Sequence, residues 1–160
     1  MIDIYPFSSP YRQGVIDLIL PIQQQEFEIP VSLDDQPDLQ MVEDFYQRGH
    51  GNFWVAIVDG RVVGTIGLLD IGGGQAALRK MFVAADHRGS RHGIAKRLVE
   101  TLTAWCRDRN LERVFLGTTA QFLAAHRFYE KNGFRELPRE RLPESFPVMQ
   151  VDSKFYVLDL

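Results

Sequence analysis

The spacing of apolar positions predicts two helices in the first third of the chain. Apolar residues recur at helical intervals from Arg12 to about Phe27, and Pro21 inside this run predicts an end or a kink in the helix. After a polar loop over residues 28–36, a second short helix is expected over Asp38–Gln47, with Asp38 as its N-cap.

Two further helices are predicted in the second half of the chain. One apolar stripe indicates an amphipathic helix over Gly93–Arg109. The stripe consists of Ile94, Leu98, Leu102 and Trp105 or Cys106. A last helix, capped by Thr118 or Thr119, is expected to end at Asn132-Gly133.

The β-strand signals concentrate between these helical segments. Ile2–Tyr5 alternates and is short, which is typical of an edge strand. Residues 53–69 predict a hairpin, because two β-rich runs flank the two-residue turn Asp59-Gly60. A second turn over Gly72–Gly74 leads into a strand over Gln75–Ala84.

Two short apolar runs, Val114–Leu116 and Phe155–Leu158, complete the order β-α-α-β-β-β-α-β-α-β. A strand meander followed by strand, helix, strand and helix predicts an α/β fold, with a mixed central sheet flanked by helices. At about 150 residues per domain, the 160-residue chain is expected to form one domain over residues 1–160.

Composition excludes several classes of protein. No run approaches the ~20 apolar residues of a membrane span, and the start of the chain lacks the basic residues of a signal peptide. A single cysteine, Cys106, excludes a disulfide framework, and the four histidines show no metal-ligand spacing. The expected protein is cytoplasmic, with no metal and no membrane partner.

Charge is distributed unevenly along the chain. Residues 1–78 carry three basic and eleven acidic side chains, whereas residues 79–97 carry six basic and one acidic side chain. A basic segment in an acidic protein indicates a local anion site rather than a nucleic-acid surface, for which positive charge is usually spread over a face. The alternative interpretation is a solvated, charged start of a helix.

The basic segment has the form of a phosphate site. A strand leads into a basic loop containing Gly89 and Gly93, which opens directly onto a helix. Such a helix start directs unpaired backbone N–H groups and the positive end of the helix dipole at an anion, and pyrophosphate fits it. No Lys-Ser/Thr pair of a nucleotide P-loop follows, and the spacing of a Rossmann fingerprint is absent.

This loop resembles the acyl-CoA loop of the GNAT superfamily of N-acetyltransferases, whose Gln/Arg-x-x-Gly-x-Gly/Ala pattern holds the CoA pyrophosphate. The loop in this chain is two residues longer than that pattern, so Arg88, Gly93 and Ala95 match it with an insertion. A second block, Ala125–Phe134, resembles the family's A-x-x-x-Y-x-x-x-G-F ending, and the two blocks stand in the family's order.

The resemblance implies transfer of an acetyl group from acetyl-CoA to a primary amine, by direct attack in a ternary complex. It implies that the backbone of Met81, Phe82 and Val83 pairs with the pantetheine arm, and that Tyr129 is the general acid for the departing thiolate. The residues that would bind the pyrophosphate are Arg88, Gly89, Ser90, Arg91, His92, Gly93, Ile94 and Ala95.

The acceptor side departs from the family's pattern. A glutamate base frequent in similar proteins is Ala77 here, and a frequent asparagine is Phe122. An alkylamine is protonated at neutral pH, so a base is still expected. Glu26, Glu28 and Asp70 are the candidates, and a water relay without any single base is the alternative. Glu26 and Glu28 follow the first helix, the region that lines the acceptor pocket in similar proteins.

Several alternatives stay open at this stage. The expected partner is a small-molecule or peptide amine rather than a nucleic acid, and similar proteins are commonly homodimers. The positions of Ala77 and Phe122 favour a second hypothesis, a non-catalytic acyl-CoA sensor or interaction module on the same fold. A nucleotide-dependent transferase that uses the basic loop for ATP is a third.

Overall fold

The computed structural model describes residues 1–89 and 91–160. Within these residues, the strands are β1 (Asp3–Pro6), β2 (Asn52–Val58), β3 (Arg61–Gly72), β4 (Gln75–Val83), β5 (Arg113–Thr118), β6 (Arg135–Leu137) and β7 (Lys154–Asp159). The α-helices are α1 (Arg12–Pro21), α2 (Pro37–Gln40), α3 (Val42–Phe45), α4 (Ile94–Asp108) and α5 (Leu123–Lys131).

The strands form one mixed sheet in the order β1-β2-β3-β4-β5-β7-β6. Neighbouring strands are antiparallel except β4 and β5, which run parallel. These two strands pair only at their starts, where Gln75–Ala77 lies opposite Arg113–Phe115. Because β4 continues to Val83 and β5 to Thr118, the described strands separate beyond this pairing and open the middle of the sheet.

The predicted α/β fold, a mixed central sheet flanked by helices, is confirmed. Helix α1 packs on β3 and β4, and α4 packs on β2, β3 and β4. The buried face of α4 contains Ile94, Leu98, Leu102 and Cys106, as the apolar stripe predicts. Burial raises the pKa of the Cys106 thiol to about 12, which is typical of an unreactive core cysteine.

The predicted hairpin of β2 and β3 is also confirmed, and the two residues of its turn explain why it forms. Asp59 and Gly60 connect β2 to β3 with φ angles of 50° and 77°. Two successive positive φ angles are the geometry of the type I′ turn, whose twist matches that of the strands it joins.

Helix α1 ends at Pro21, as the sequence predicts, and the chain continues as a π-helical turn over Ile22–Glu26.

Three local predictions are wrong: the extent of the second helix, its N-cap and the cap of the last helix. The helix expected over residues 38–47 is divided at Met41 into α2 and α3, and Asp38 lies inside α2 rather than at its N-cap. Neither Thr118 nor Thr119 caps α5, which Phe122 precedes without a side-chain cap. Strand β6 was not expected, because three residues are too few to show a period of their own.

The described residues also show which larger features the fold lacks. No helix among residues 1–89 and 91–160 has the length and apolar character needed to cross a bilayer. In the same part of the chain, no three His, Cys, Asp or Glu side chains are grouped so that they could hold a metal ion.

Candidate active site

A cavity of about 720 Å³ lies where β4 and β5 separate. The two strands form its walls through Leu78–Phe82 and Leu116–Thr118. The π-helical turn that follows α1 and the start of α5 close its sides. The loop before β7 completes the lining with Phe146, Pro147, Met149 and Asp152. Of the sequence-predicted site residues, Glu26, Met81, Phe82 and Tyr129 border this cavity.

A β-bulge reshapes β4 beside the cavity. Thr65 of β3 pairs with Phe82 and Gly67 pairs with Arg79, so Lys80 and Met81 together oppose a single residue of β3. Lys80 has a φ of 54°, and its carbonyl accepts a 2.7 Å hydrogen bond from Thr65 Oγ1. A bulge bends and twists its strand, and this one lies where β4 turns away from β5.

The Lys80 side chain enters a buried polar network that stabilises the bulge. Its Nζ lies 3.7 Å from Asp38 Oδ2, and it also donates a hydrogen bond to Gln36 Oε1. Asp38 accepts a 2.6 Å hydrogen bond from Tyr46 Oη, and Gln36 exchanges amide hydrogen bonds with Gln23. Burial lowers the pKa of Lys80, and the neighbouring Asp38 charge opposes that effect.

Tyr129 borders the cavity from α5. Its side chain is 8% exposed, and its Oη lies 3.9 Å from Met81 Sδ on the opposite strand. Burial raises the pKa of the Tyr129 hydroxyl to about 12, so the phenol is neutral and able to donate a hydrogen bond at physiological pH. The structure therefore brings a neutral O–H group close to the Met81 side chain of β4.

The basic loop that contains Gly89 and Gly93, here called the glycine loop, leads directly into α4. Gly89 has a φ of 100°, and Gly93, the N-cap of α4, has a φ of 66°. Both angles favour glycine, because other residues rarely adopt them. No side chain of the described residues caps α4, which leaves N–H groups of its first turn for a ligand to satisfy. Ser90, also predicted to bind phosphate, lies outside the described residues.

Arg88 connects the glycine loop to the cavity. Its guanidinium forms two hydrogen bonds with the Glu26 carboxylate, at 2.6 and 3.1 Å, and its Nε donates to the Val83 carbonyl at 2.8 Å. Glu26 stands at the end of the π-helical turn and borders the cavity. None of the described residues from Arg88 to Ala95 lines the cavity itself, so this ion pair is their link to it.

The remaining predicted residues of the loop occupy different environments. Arg91 is exposed, and the His92 ring lies 5.5 Å from the His87 ring. Ile94 is buried in the core, while its backbone belongs to the first turn of α4. An anion at this position would therefore contact backbone N–H groups and basic side chains rather than the Ile94 side chain.

The structure separates the three candidate bases. Both Glu26 and Glu28 are exposed, but Glu26 borders the cavity, whereas Glu28 lies on the following loop with a φ of 53°. Asp70 accepts hydrogen bonds from the backbone of His50 and Gly72 near the end of β3, and it does not line the cavity.

Two charged cavity residues were missed as functional candidates by the sequence analysis. Arg79 was counted in the basic segment without a role, and Asp152 belongs to a proline-rich loop that shows no motif. A weak signal for Asp152 was available in Gly117, where a Cβ atom would lie 2.5 Å from Asp152 Oδ2. The need for glycine at position 117 becomes apparent only when two segments that are distant in sequence pack together.

The chain is similar to known acetyltransferases in both sequence and fold. Residues 16–134 match the model of the acetyltransferase (GNAT) family. The chain is similar to a solved acetyltransferase of the GNAT family from Staphylococcus aureus Mu50, at 40% identity and a TM-score of 0.94, with 99% of each chain covered. A GNAT family acetyltransferase from Elizabethkingia anophelis, solved with acetyl-CoA bound, shares the fold at 17% identity and a TM-score of 0.65, over 99% of this chain and 98% of that one.

Curated relatives are similar over part of their length. The chain is 37% identical to the probable N-acetyltransferase family 8 member 5 of Mus musculus, over 69% of this chain and 50% of the relative. It is also 37% identical to the N-acetylaspartate synthetase of Danio rerio, over 62% of this chain and 36% of the relative. The chain thus spans half or less of the length of these two relatives.

Proposed function

The chain belongs to the acetyltransferase (GNAT) family, and on that premise we propose that it transfers an acetyl group from acetyl-CoA to a primary amine, by direct attack in a ternary complex. The observation that carries this proposal is the cavity between the separated strands β4 and β5. The glycine loop and the start of α4, which no side chain of the described residues caps, are linked to this cavity through Arg88 and Glu26.

The phosphate end of acetyl-CoA fits the start of α4. Gly89 has open space above its α-carbon, so a ligand can approach the backbone there. The first-turn N–H groups of α4 and the positive end of its dipole favour a pyrophosphate.

The thioester end fits the separated edge of β4. Met81 and Phe82 border the cavity where, among the described strands, β4 has lost its pairing with β5. An extended pantetheine arm would pair there as an added strand does. A backbone N–H directed at the thioester oxygen would stabilise the oxyanion formed on attack, and one such donor contributes about 3 kcal/mol in enzymes where it has been removed.

The reaction needs a proton acceptor and a group that stabilises the leaving sulfur. We assign the first role to Glu26, whose carboxylate borders the cavity, and the second to Tyr129. The protonated amine first loses a proton to Glu26, which makes its nitrogen nucleophilic. The neutral nitrogen then attacks the acetyl carbon, and the carbon–sulfur bond breaks with its electron pair remaining on sulfur. The nitrogen loses its second proton to solvent, and the thiolate takes up a proton from solvent. The products are the N-acetylated amine and free CoA.

The experiment that tests this function is a calorimetric titration with acetyl-CoA, ATP and desulfo-CoA. We expect saturable binding of acetyl-CoA in the micromolar range and none of ATP, followed by thiol release when an amine is added. Binding of acetyl-CoA without thiol release from any amine would support the non-catalytic sensor. Preferential binding of ATP would support the nucleotide-dependent transferase, and absence of all binding would contradict the assignment of the loop.

Glu26→Gln is expected to change binding and turnover in opposite directions. Loss of the carboxylate frees the Arg88 guanidinium for phosphate, so the acetyl-CoA Kd should fall about twofold to fivefold, the scale of a surface ion pair. Turnover at saturating substrates should fall at least about tenfold, because the base is removed. Calorimetry measures the first effect and thiol release the second.

Glu28→Gln is the matched control for this prediction. Glu28 is a neighbouring acid on the same segment and is exposed like Glu26, but it does not line the cavity. Both parameters should therefore stay at their original values. An unchanged turnover number in Glu26→Gln would remove Glu26 as the base.

The relatives support amino acids as one class of acceptor to test. N-acetylaspartate synthetase is named for an acetylated amino acid, and this chain is similar to part of it. Peptide N-termini, lysine side chains and polyamines are the other amines in the first screen.

A further inference from the structure

Four charged side chains line the cavity, and two of them already have partners. Glu26 is paired with Arg88 at 2.6 Å, and Lys80 with the buried Asp38 at 3.7 Å. The other two are Arg79 and Asp152. Neither has an opposite charge within 4.0 Å among residues 1–89 and 91–160, so one cation and one anion of the cavity wall stand unpaired.

Arg79 and Asp152 lie at the two ends of the same residue, Met149. Arg79 Nη2 lies 3.4 Å from Met149 Sδ, and Asp152 Oδ2 accepts a 2.9 Å hydrogen bond from the Met149 backbone N–H. The Arg79 guanidinium also packs on the Phe45 ring, 5.4 Å from its centroid. Both charged groups are thus held in place around Met149 while their mutual separation exceeds an ion-pair distance.

The environment of Asp152 leaves its charge incompletely compensated. The carboxyl group is partly buried against Gly117, and this burial raises its pKa, although the charges of Arg79 and the exposed Arg139 act in the opposite direction. A buried carboxylate without a cation carries a desolvation cost that a bound ammonium group would offset.

We propose that the acceptor is an amino acid with one free carboxylate and an apolar side chain, which Arg79 binds through the carboxylate and Asp152 through the amino group. This proposal rests on the acetyl transfer proposed above and adds the class of its acceptor. A guanidinium presents two parallel N–H donors to a carboxylate, and an ammonium N–H group is a natural donor to Asp152.

Charge and shape exclude a second carboxylate from the preferred acceptor. Arg79 is the only cavity-lining cation of the described residues that lacks an acidic partner, since Asp38 already neutralises Lys80. The loop around the two charges offers Phe146, Pro147 and Met149 to the rest of the ligand. An acidic side chain would meet these apolar groups without a cation to bind it.

The test compares phenylalanine and methionine with their amides, with 2-phenylethylamine and with aspartate as acceptors. Thiol release gives kcat/KM for each compound at a fixed, saturating acetyl-CoA concentration. We expect each apolar amino acid to exceed its amide and aspartate by about 10-fold to 100-fold, the range of a charge-assisted hydrogen bond. The amino group of an amino acid amide has a lower pKa than that of the free amino acid, so a larger fraction of it is neutral and nucleophilic. This difference favours the amides and therefore works against the expected result.

Arg79→Gln should bring the acid-to-amide ratio of kcat/KM close to one. The ratio compares two substrates on the same preparation, so it is insensitive to the fraction of folded protein. Arg139→Gln is the matched control, because Arg139 is an exposed arginine near Asp152 that does not line the cavity. The control should keep the original ratio, and both variants should keep the acetyl-CoA Kd measured by calorimetry.

The possible failures are distinguishable. If the protein binds acetyl-CoA and acetylates amides or simple amines as well as amino acids, the acceptor proposal is overturned while acetyl transfer stands. Aspartate equal to or better than phenylalanine would overturn the single-carboxylate assignment, as would an unchanged ratio in Arg79→Gln. Absence of acetyl-CoA binding would overturn the proposed function and this proposal together.

Discussion

Asp38→Ala is expected to lower the free energy of unfolding by about 3 kcal/mol, because it leaves the buried Lys80 ammonium and the Tyr46 hydroxyl without their acidic partner. Only 6% of the Asp38 side chain and 9% of the Lys80 side chain are exposed, so the pair is largely shielded from water. The midpoint of urea unfolding at pH 7 measures this loss.

The loss should depend on pH in a defined direction. Burial lowers the pKa of Lys80 in the folded protein, and removal of the Asp38 charge lowers it further. Between the folded and unfolded pKa values, the unfolded state binds more protons, so the stability of the variant rises as the pH rises through that window. The deficit relative to the original protein should therefore be smaller at pH 9.5 than at pH 7.

Two further variants make this prediction specific. Asp38→Leu combined with Lys80→Met replaces the ion pair by apolar groups and should recover most of the stability, because no charge is left buried alone. Asp44→Ala removes an exposed acid on α3 and should hardly move the midpoint. A deficit in Asp38→Ala no larger than that of Asp44→Ala would contradict the role assigned to the buried pair.

Tyr129→Phe is expected to lower kcat by about 10-fold to 100-fold, with little change in the acetyl-CoA Kd. This range corresponds to loss of one hydrogen bond to a charged group, here the departing thiolate. Because the pKa of Tyr129 is about 12 and that of a free thiol is ~8.5, complete proton transfer from the phenol is uphill. The hydroxyl therefore acts by hydrogen bonding, and it should cause no alkaline decline in rate up to about pH 11.

Tyr156→Phe is the matched control for the loss of a buried tyrosine hydroxyl. Tyr156 is fully buried, and its Oη donates a 2.7 Å hydrogen bond to Glu130, but it does not line the cavity. This variant should lose stability and keep its kcat once corrected for folded protein. Tyr129→Phe with an unaffected kcat would reassign Tyr129 to packing.

Local patterns explain the part of the fold that was predictable. The Asp59-Gly60 turn, the apolar stripe of α4 and the end of α1 at Pro21 each depend on residues that are close in sequence. The glycine loop is of the same kind, because positive φ angles at Gly89 and Gly93 are properties of the loop itself. Patterns of this type can be recognised in the sequence alone, because they depend on neighbouring residues.

Within the candidate site, the sequence indicated the residues whose roles depend on a local motif. These are Arg88, Gly89 and Gly93 in the loop and Tyr129 in α5. The motif did not show that Arg88 contacts Glu26, which is 62 residues away in the chain. The cavity itself has no local signal, because it results from two strands that pair over three residues and then separate.

The sequence by itself determined the order of most elements, the turn and helix signals, and the family resemblance of two short blocks. Only the tertiary structure decided that Lys80 occupies a bulge over the buried Asp38, that β6 forms by pairing with β7, and that Arg79 and Asp152 share one cavity. The physical reason is the separation along the chain of the residues that interact. Backbone propensity and side-chain periodicity act between neighbours in the chain, whereas charge pairing, burial and cavity shape depend on segments that meet only after folding.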